Sequence, residues 1–477
     1  MTTAEYDVIV LGAGVAGENA ADRAVQGGLT AVIVEPELVG GECSYWACVP
    51  SKALLRPAQA MRAAQKVKGA ADAVTGPLDV DAVFERRDFF AAEWADAGQV
   101  EWLESAGIDL IRGAGRLSGE REVTVALGDG GARKLRARHA VVVATGSRAA
   151  MPRIAGLADA QPWTSREATS APAAPTSLVI IGGGVVAAEM ATAYAGFGTE
   201  VTMLSRGGIL TTMEPFAGDR VADSLRAMGV VIHENAETHS VNREGDTVTV
   251  TLVDGRTIEA EELLVATGRE PRTSDIGLET VGLTPGEWIA TDDTMRVQGN
   301  HWLYAVGDVT HRALLTHQGK YQARAAGDVI AARAAGTAID DQPWGRHVAT
   351  ADHVAVPQVT FTEPEVASVG LTAHTARAAG LTVEVIDYDL GAVSGASLRE
   401  DHYEGAARMV VDRERSVIVG ATFVGADVAE LLHAATTAIV GEIPLSRLWH
   451  AVPAFPTMSE VWLRLLEGYG RDSAQSV

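Results

Sequence analysis

One local pattern, an apolar strand running into a glycine-rich turn and an alanine-rich helix, occurs twice in the 477 residues. In the first copy, Tyr6-Asp7-Val8-Ile9-Val10-Leu11 leads into Gly12-Ala13-Gly14-Val15-Ala16-Gly17, and a second strand, Ala31-Val32-Ile33-Val34, closes at Glu35. In the second, Ser177-Leu178-Val179-Ile180-Ile181 leads into Gly182-Gly183-Gly184-Val185-Val186-Ala187, followed by Glu200-Val201-Thr202-Met203-Leu204. Each is a strand-helix-strand unit of about 30 residues, the size of a mononucleotide-binding half. One such turn alone is a weak signal. Two, each set between strand and helix, predict an α/β chain with two Rossmann-like dinucleotide-binding domains.

The glycines have separate tasks. Gly12 and Gly182 make the tight turn, and Gly14 and Gly184 let backbone approach a pyrophosphate at the helix N-terminus. Gly17 allows close helix packing, a place taken by Ala187 in the second copy. The strand ends distinguish two cofactors. Glu35 stands where a carboxylate accepts hydrogen bonds from ribose hydroxyls, which suits an adenosine without a 2′-phosphate. The second unit ends in Ser205-Arg206, where an arginine can hold a 2′-phosphate. This favours NADPH, with NADH possible; the alternative for Arg206 is a solvated loop arginine.

Between the two units lies Gly40-Gly41-Glu42-Cys43-Ser44-Tyr45-Trp46-Ala47-Cys48-Val49-Pro50-Ser51-Lys52, which contains the chain's only two cysteines. On a regular helix, residues five apart sit roughly 8–9 Å apart at Cα, whereas a disulfide usually needs less than about 7 Å. A Cys43–Cys48 bond therefore demands a distorted helix, and strained disulfides tend to be the exchangeable ones. The pair reads as redox-active, the alternative being two buried thiols. A formal charge of −23 argues against nucleic acid or an anionic membrane as partner. No signal peptide and no membrane-spanning apolar run are visible, so a soluble, cytoplasmic protein is expected. The length predicts two to four domains, with a linker at Ser170-Ala171-Pro172-Ala173-Ala174-Pro175.

Two dinucleotide units with a Cys-x4-Cys segment resemble the flavoprotein disulfide reductases, the family of dihydrolipoamide dehydrogenase, glutathione reductase and mercuric reductase. Further segments carry the resemblance along nearly the whole chain: Ala144-Thr145-Gly146-Ser147, Ala266-Thr267-Gly268-Arg269, Tyr304-Ala305-Val306-Gly307-Asp308 and the stretch from Pro357 to Gly370. It implies an FAD-binding domain in two parts (1–150 and 274–345), an NAD(P)H-binding domain (151–273) and a C-terminal α+β dimerisation domain (346–477) that forms a homodimer. It also implies that Asp308 contacts the FAD ribityl chain and that Lys52 sits near the flavin, paired with Glu189. Gly41, Thr145, Gly146 and Gly268 join the cofactor-binding positions on the same ground. Cys48 would face the flavin and Cys43 would exchange with substrate. NADPH would give hydride to one flavin face, and the disulfide would collect the electron pair on the other. Without the resemblance, Asp308 reads as a turn residue and Lys52 as a solvent-facing charge.

The chain departs from the family in three places. Where relatives that handle small disulfides show His-Pro-Thr-x-Ser-Glu, this chain has Phe455-Pro456-Thr457-Met458-Ser459-Glu460. Phenylalanine cannot carry protons, and general acid–base help is typically worth about 10²–10⁴-fold. Glu460 stays among the candidate catalytic residues, with an interface or capping role as the alternative; His450 is a candidate replacement base. Tyr45 and Trp46 stand between the cysteines, either as packing or as a stacking surface for an aromatic acceptor. Glu42 beside Cys43 is expected to disfavour a thiolate. Mercuric reductase fits poorly, because the extra cysteines of that group are missing, and no metal site is expected. The leading expectation is an FAD-dependent NAD(P)H oxidoreductase that passes electrons to the Cys43–Cys48 disulfide, to a small acceptor such as a quinone, or to both. The alternatives are a small-disulfide reductase with a substitute proton shuttle, and a low-turnover flavin redox sensor.

Overall fold

A computed structural model describes residues 3–471. These divide into two compact units. The first takes the chain up to Pro50, then Asp88–Ala150 and Gly268–His353; the second takes Ser51–Arg87, Met151–Thr267 and the chain from Val354 on.

The first unit is built on parallel strands, of which β1 and Ala132–Val143 end in buried, unbroken apolar runs, as in sheets covered on both faces. Strand β1 (Ala4–Leu11) pairs in parallel with β2 (Ala31–Glu35) on one side and with Ala132–Val143 on the other. Ile108–Arg112 extends the sheet beyond β2, and Leu303–Ala305 extends it beyond the C-terminal end of Ala132–Val143. The N-terminal part of Ala132–Val143 pairs instead with the antiparallel strand Glu122–Ala126. Helix α1 (Val15–Gln26) crosses from β1 to β2 and packs on the helix Thr316–Ala335 through a seam of small residues, Ala16, Ala20 and Ala24 against Ala323 and Ala326. The alanine richness of α1 thus serves a close helix-helix approach.

The second unit repeats the plan. Its parallel sheet runs Val231–His233, Glu200–Leu204, Ser177–Ile181, Glu262–Val265. The helix Val185–Phe197 is buried from Ala187 to Tyr194, which explains a sequence with so few polar positions. The C-terminal part is a five-stranded antiparallel sheet in the order Gln358–Thr360, Glu365–Gly370, Val417–Gly425, Ala406–Asp412, Val383–Asp389. The helices Leu432–Val440 and Val461–Tyr469 share its core. Mixed α/β folding with two dinucleotide-type sheets and an α+β C-terminal part is the expected class.

Candidate active site

Both glycine turns are shaped by the strand that follows later in the same unit. Gly12 has φ +104°, and a Cβ there would lie 2.4 Å from the Ala144 carbonyl oxygen. Gly182, at φ +142°, stands in the same relation to Ala266, at 2.3 Å. The two Ala-Thr-Gly segments therefore end the neighbouring strands beside the two turns. A Cβ on Gly17 would meet the Gly12 carbonyl oxygen at 2.0 Å, while Ala187 fits the corresponding place in the second turn, fully buried. Gly14 and Gly184 differ in kind: nothing lies within 4 Å of a Cβ built on either. Each caps its helix without a side-chain hydrogen bond. Open backbone at an uncapped helix N-terminus fits a pyrophosphate.

Glu35 is buried, and both its oxygens accept backbone hydrogen bonds, from Ala13 N at 2.7 Å and Glu37 N at 2.8 Å. Burial raises its pKa, and these two bonds work against the rise. Each carboxylate oxygen keeps a second acceptor direction for a ribose hydroxyl. Thr145 Oγ1 is buried without a hydrogen-bond partner among the described residues, another group that fits a bound cofactor. Asp308 is hydrogen-bonded by Ser147, whose oxygen accepts from Arg269 Nε at 2.6 Å. The turn that carries Asp308 is pinned by Gln322, which accepts from Gly307 N at 2.8 Å and donates to Asp352 at 2.9 Å. In the second unit Arg206 is exposed, next to the buried Ser205. Gly41 (φ +61°) brings its backbone against Gly14, at 2.8 Å from a Cβ to the Gly14 Cα. Gly146 (φ +72°) and Gly268 (φ +137°) have open space where a side chain would stand.

The cysteines lie on two helices. Helix α2 (Gly41–Tyr45) carries Cys43, the chain breaks helical conformation at Trp46 (φ −131°, ψ 3°), and helix α3 (Cys48–Gln65) starts with Cys48. A regular helix across the pair is thus avoided, with the Cys48 thiol near enough to Cys43 to raise its pKa. They stand as a dithiol, without a disulfide. Thr316 Oγ1 is 3.2 Å from Cys48 Sγ. The neighbouring Cys48 thiol, followed by burial, raises the Cys43 pKa, while Thr316 and Lys320 oppose the rise. Glu42 is engaged elsewhere, accepting from Arg272 Nη2 at 2.9 Å. The expected Glu42 effect on Cys43 is therefore corrected: an arginine pairs with that carboxylate. Tyr45 is fully buried and donates to the Val39 carbonyl at 3.1 Å, with burial pushing its pKa up to about 12. Packing is its task. Trp46, half-buried, lies against Tyr45 with ring centroids 5.6 Å apart.

In the second unit Lys52 Nζ donates to Glu189 Oε2 at 2.7 Å. Glu189 is only 3% exposed, and its other oxygen accepts from Phe361 N at 2.9 Å. The Lys52 ammonium also lies 4.8 Å from the centre of the Phe361 ring. Helix α3 thus carries a cysteine at its start and an anchored cation one turn later. In the C-terminal signature, Phe455 is 74% exposed. Glu460 is buried at the start of helix Val461–Tyr469 and pairs with Arg464. Its side chain makes no capping hydrogen bond there, and Glu460 Oε2 is buried without a hydrogen-bond partner among the described residues. His450 is exposed, with no side-chain partner among the described residues.

Sequence reasoning missed Thr316, Gln322 and Arg272. None belongs to a short motif; each reaches the site only through folding.

Residues 6–329 match the pyridine nucleotide-disulphide oxidoreductase family, and residues 356–465 match its dimerisation domain. The chain belongs to this family of FAD-dependent oxidoreductases. It is 30% identical to mercuric reductase of Streptomyces lividans over 480 residues, covering 98% of this chain and 97% of the relative. Dihydrolipoyl dehydrogenase of Halobacterium salinarum is 31% identical over 474 residues, covering 97% and 95%. Among solved structures, LpdA of Mycobacterium tuberculosis superposes with TM-score 0.82 at 26% identity, covering 98% of this chain and all of that one. The HOCl-induced flavoprotein disulfide reductase RclA of Escherichia coli, at 23% identity and TM-score 0.82, covers 97% of this chain and 99% of that one, and shares the fold. The described residues hold no cluster of His, Cys, Asp and Glu that could bind a metal ion. None of their helices is long and apolar enough to cross a membrane.

Proposed function

We propose that the protein is an NAD(P)H oxidoreductase whose Cys43–Cys48 pair relays electrons, with a quinone or another small electrophile as preferred acceptor and NADPH as preferred donor. One observation carries this reading: a fully framed thiol relay, Cys43, Cys48 and Thr316, coexists with Phe455 at the family's proton-carrying position. Bound FAD supplies the two-electron carrier between a nicotinamide and a thiol pair. The Gly12–Gly17 turn, Glu35, Thr145 and Asp308 would hold it, with Gly41, Gly146 and Gly268 giving backbone access. The Gly182–Ala187 turn would hold the NADPH pyrophosphate, and Arg206 its 2′-phosphate. Lys52, kept in place by Glu189, brings fixed positive charge to the start of α3, where negative charge develops on reduction. Thr316 orients Cys48. Two copies of the chain would assemble through the C-terminal part.

Acceptor assays on Cys48→Ser test the relay. If the pair relays electrons to the quinone, this variant loses quinone and disulfide turnover alike; retention of most quinone turnover would mean that the flavin donates directly and would overturn the relay. Wild-type protein that reduces lipoamide faster than any quinone would overturn the preferred acceptor. For the donor, Arg206→Glu should shift preference from NADPH toward NADH; an unchanged NADPH/NADH ratio of kcat/KM removes Arg206 as selector.

A further inference from the structure

In the C-terminal sheet, the turn at 361–364 joins the strand Gln358–Thr360 to its antiparallel neighbour Glu365–Gly370. Helix α3 runs along this turn. Lys52, Gln59 and Arg62 stand seven and three residues apart on α3, a spacing that places them on one face. Gln59 Nε2 donates to the Phe361 carbonyl at 3.0 Å, and Arg62 Nε pairs with Glu363 Oε2 at 2.7 Å. Both contacts tie the turn to the helix, so the remaining groups of Phe361 have fixed directions. Its N–H donates to Glu189 Oε1 at 2.9 Å, and its ring centre lies 4.8 Å from Lys52 Nζ. Glu189 gives its other oxygen to Lys52 at 2.7 Å. The three residues close a triangle: one from the C-terminal sheet, one from the helix Val185–Phe197 and one from α3.

Glu189 is fixed through both oxygens and is 3% exposed. Lys52 keeps 35% of its side chain exposed. A lysine stem with that much room spreads its charge over many rotamers unless its head is held. Its non-local partners are the carboxylate and the ring face, which attracts a cation through the ring quadrupole. We propose that Phe361 is a positioning residue of the redox site: its N–H orients Glu189 and its ring holds the Lys52 ammonium. A turn of the C-terminal sheet thereby sets where the charge stands. The inference rests on the reading of Lys52 as the cation that meets the negative charge of reduction, for which a preplaced charge is worth more than a mobile one.

The first test needs neither a nicotinamide nor an acceptor. Flavin-loaded protein is treated with a trace of acetic anhydride, and peptide mass spectrometry compares acetylation of Lys52 with that of the exposed Lys134. A held amine is reached only when it leaves its partners, so in wild type Lys52 should react about tenfold more slowly than Lys134. Equal rates would overturn the proposal. Phe361→Met keeps an apolar side chain and the N–H to Glu189 and removes the ring. Lys52 should then react about three- to tenfold faster than in wild type, while Phe361→Tyr should stay at the wild-type rate. An unchanged rate in Phe361→Met, or equal acceleration in Phe361→Tyr, would overturn the proposal; if Phe361→Met does not fold, Phe361→Leu is read in the same way. The second measurement is the midpoint potential of the bound flavin against a reference dye without oxygen. It should fall in Phe361→Met, where the charge is no longer held, and hold in Phe361→Tyr. Faster acetylation with an unmoved potential would contradict the part given to Lys52 in the proposed function and leave its seating by Phe361 intact.

Discussion

At the scale of single residues, two carboxyl groups sit in different surroundings. Glu189 accepts hydrogen bonds from Lys52 Nζ and from a backbone N–H. Removing the cation by Lys52→Met strands a buried carboxylate and should cost about 1–3 kcal/mol, read from the denaturant midpoint. Glu189→Gln, which keeps an acceptor for Phe361 N, should cost less than Lys52→Met. Glu18 is only partly buried, and its Oε1 has no hydrogen-bond partner among the described residues. Its pKa rises on folding from 4.5 to about 7. Below pH 4.5 it is protonated in both states and costs nothing; as pH climbs through 7, the folded state loses stability relative to the unfolded chain. Glu18→Gln should therefore gain on wild type by up to ~3 kcal/mol between pH 4.5 and 8. A constant difference across that range would contradict that placement. Lys52 and Glu189 were legible through the family resemblance. Glu18 was not, because Lys320, which acts on it electrostatically, lies far along the chain.

At the scale of elements, the glycine turns sort their residues by what surrounds them. Gly12→Ala forces a Cβ to 2.4 Å from the Ala144 carbonyl in a left-handed backbone, and should abolish soluble folding or lower the melting temperature sharply. Gly14→Ala meets nothing within 4 Å. It should fold with wild-type stability as apoprotein yet purify with little FAD, since the added methyl fills the space a pyrophosphate needs. Equal flavin content in Gly14→Ala and wild type would count against that assignment. The strand-turn-helix units were legible because buried parallel strands and glycine turns leave a dense local signal. The interruption at Trp46 was legible only as a requirement on distance; its place between α2 and α3 came from the structure. The pinning of the Asp308 turn by Gln322 and Asp352 could not be read, since a glutamine on a helix looks like any solvated polar residue.

At the scale of the whole molecule, the second unit leaves Val452 and Phe455 exposed in one stretch of the dimerisation region. Scattered apolar side chains are ordinary on a surface, but two within four residues of one segment suit contact with a second copy. The protein should elute at twice the chain mass, and Val452→Asp with Phe455→Asp should shift it toward monomer. Elution of wild type as monomer would contradict the proposed assembly. Composition spoke to class alone: a charge of −23 disfavours polyanionic partners without naming the electron acceptor. The central claim is that Cys43 and Cys48 take electrons delivered by NADPH through the flavin. Stepwise anaerobic reduction by NADPH, with the visible spectrum recorded at each addition, tests it most directly. The account predicts a long-wavelength thiolate-to-flavin charge-transfer band that grows over the first two electrons and is lost in Cys48→Ser. Bleaching of the flavin without that band in wild type would contradict it.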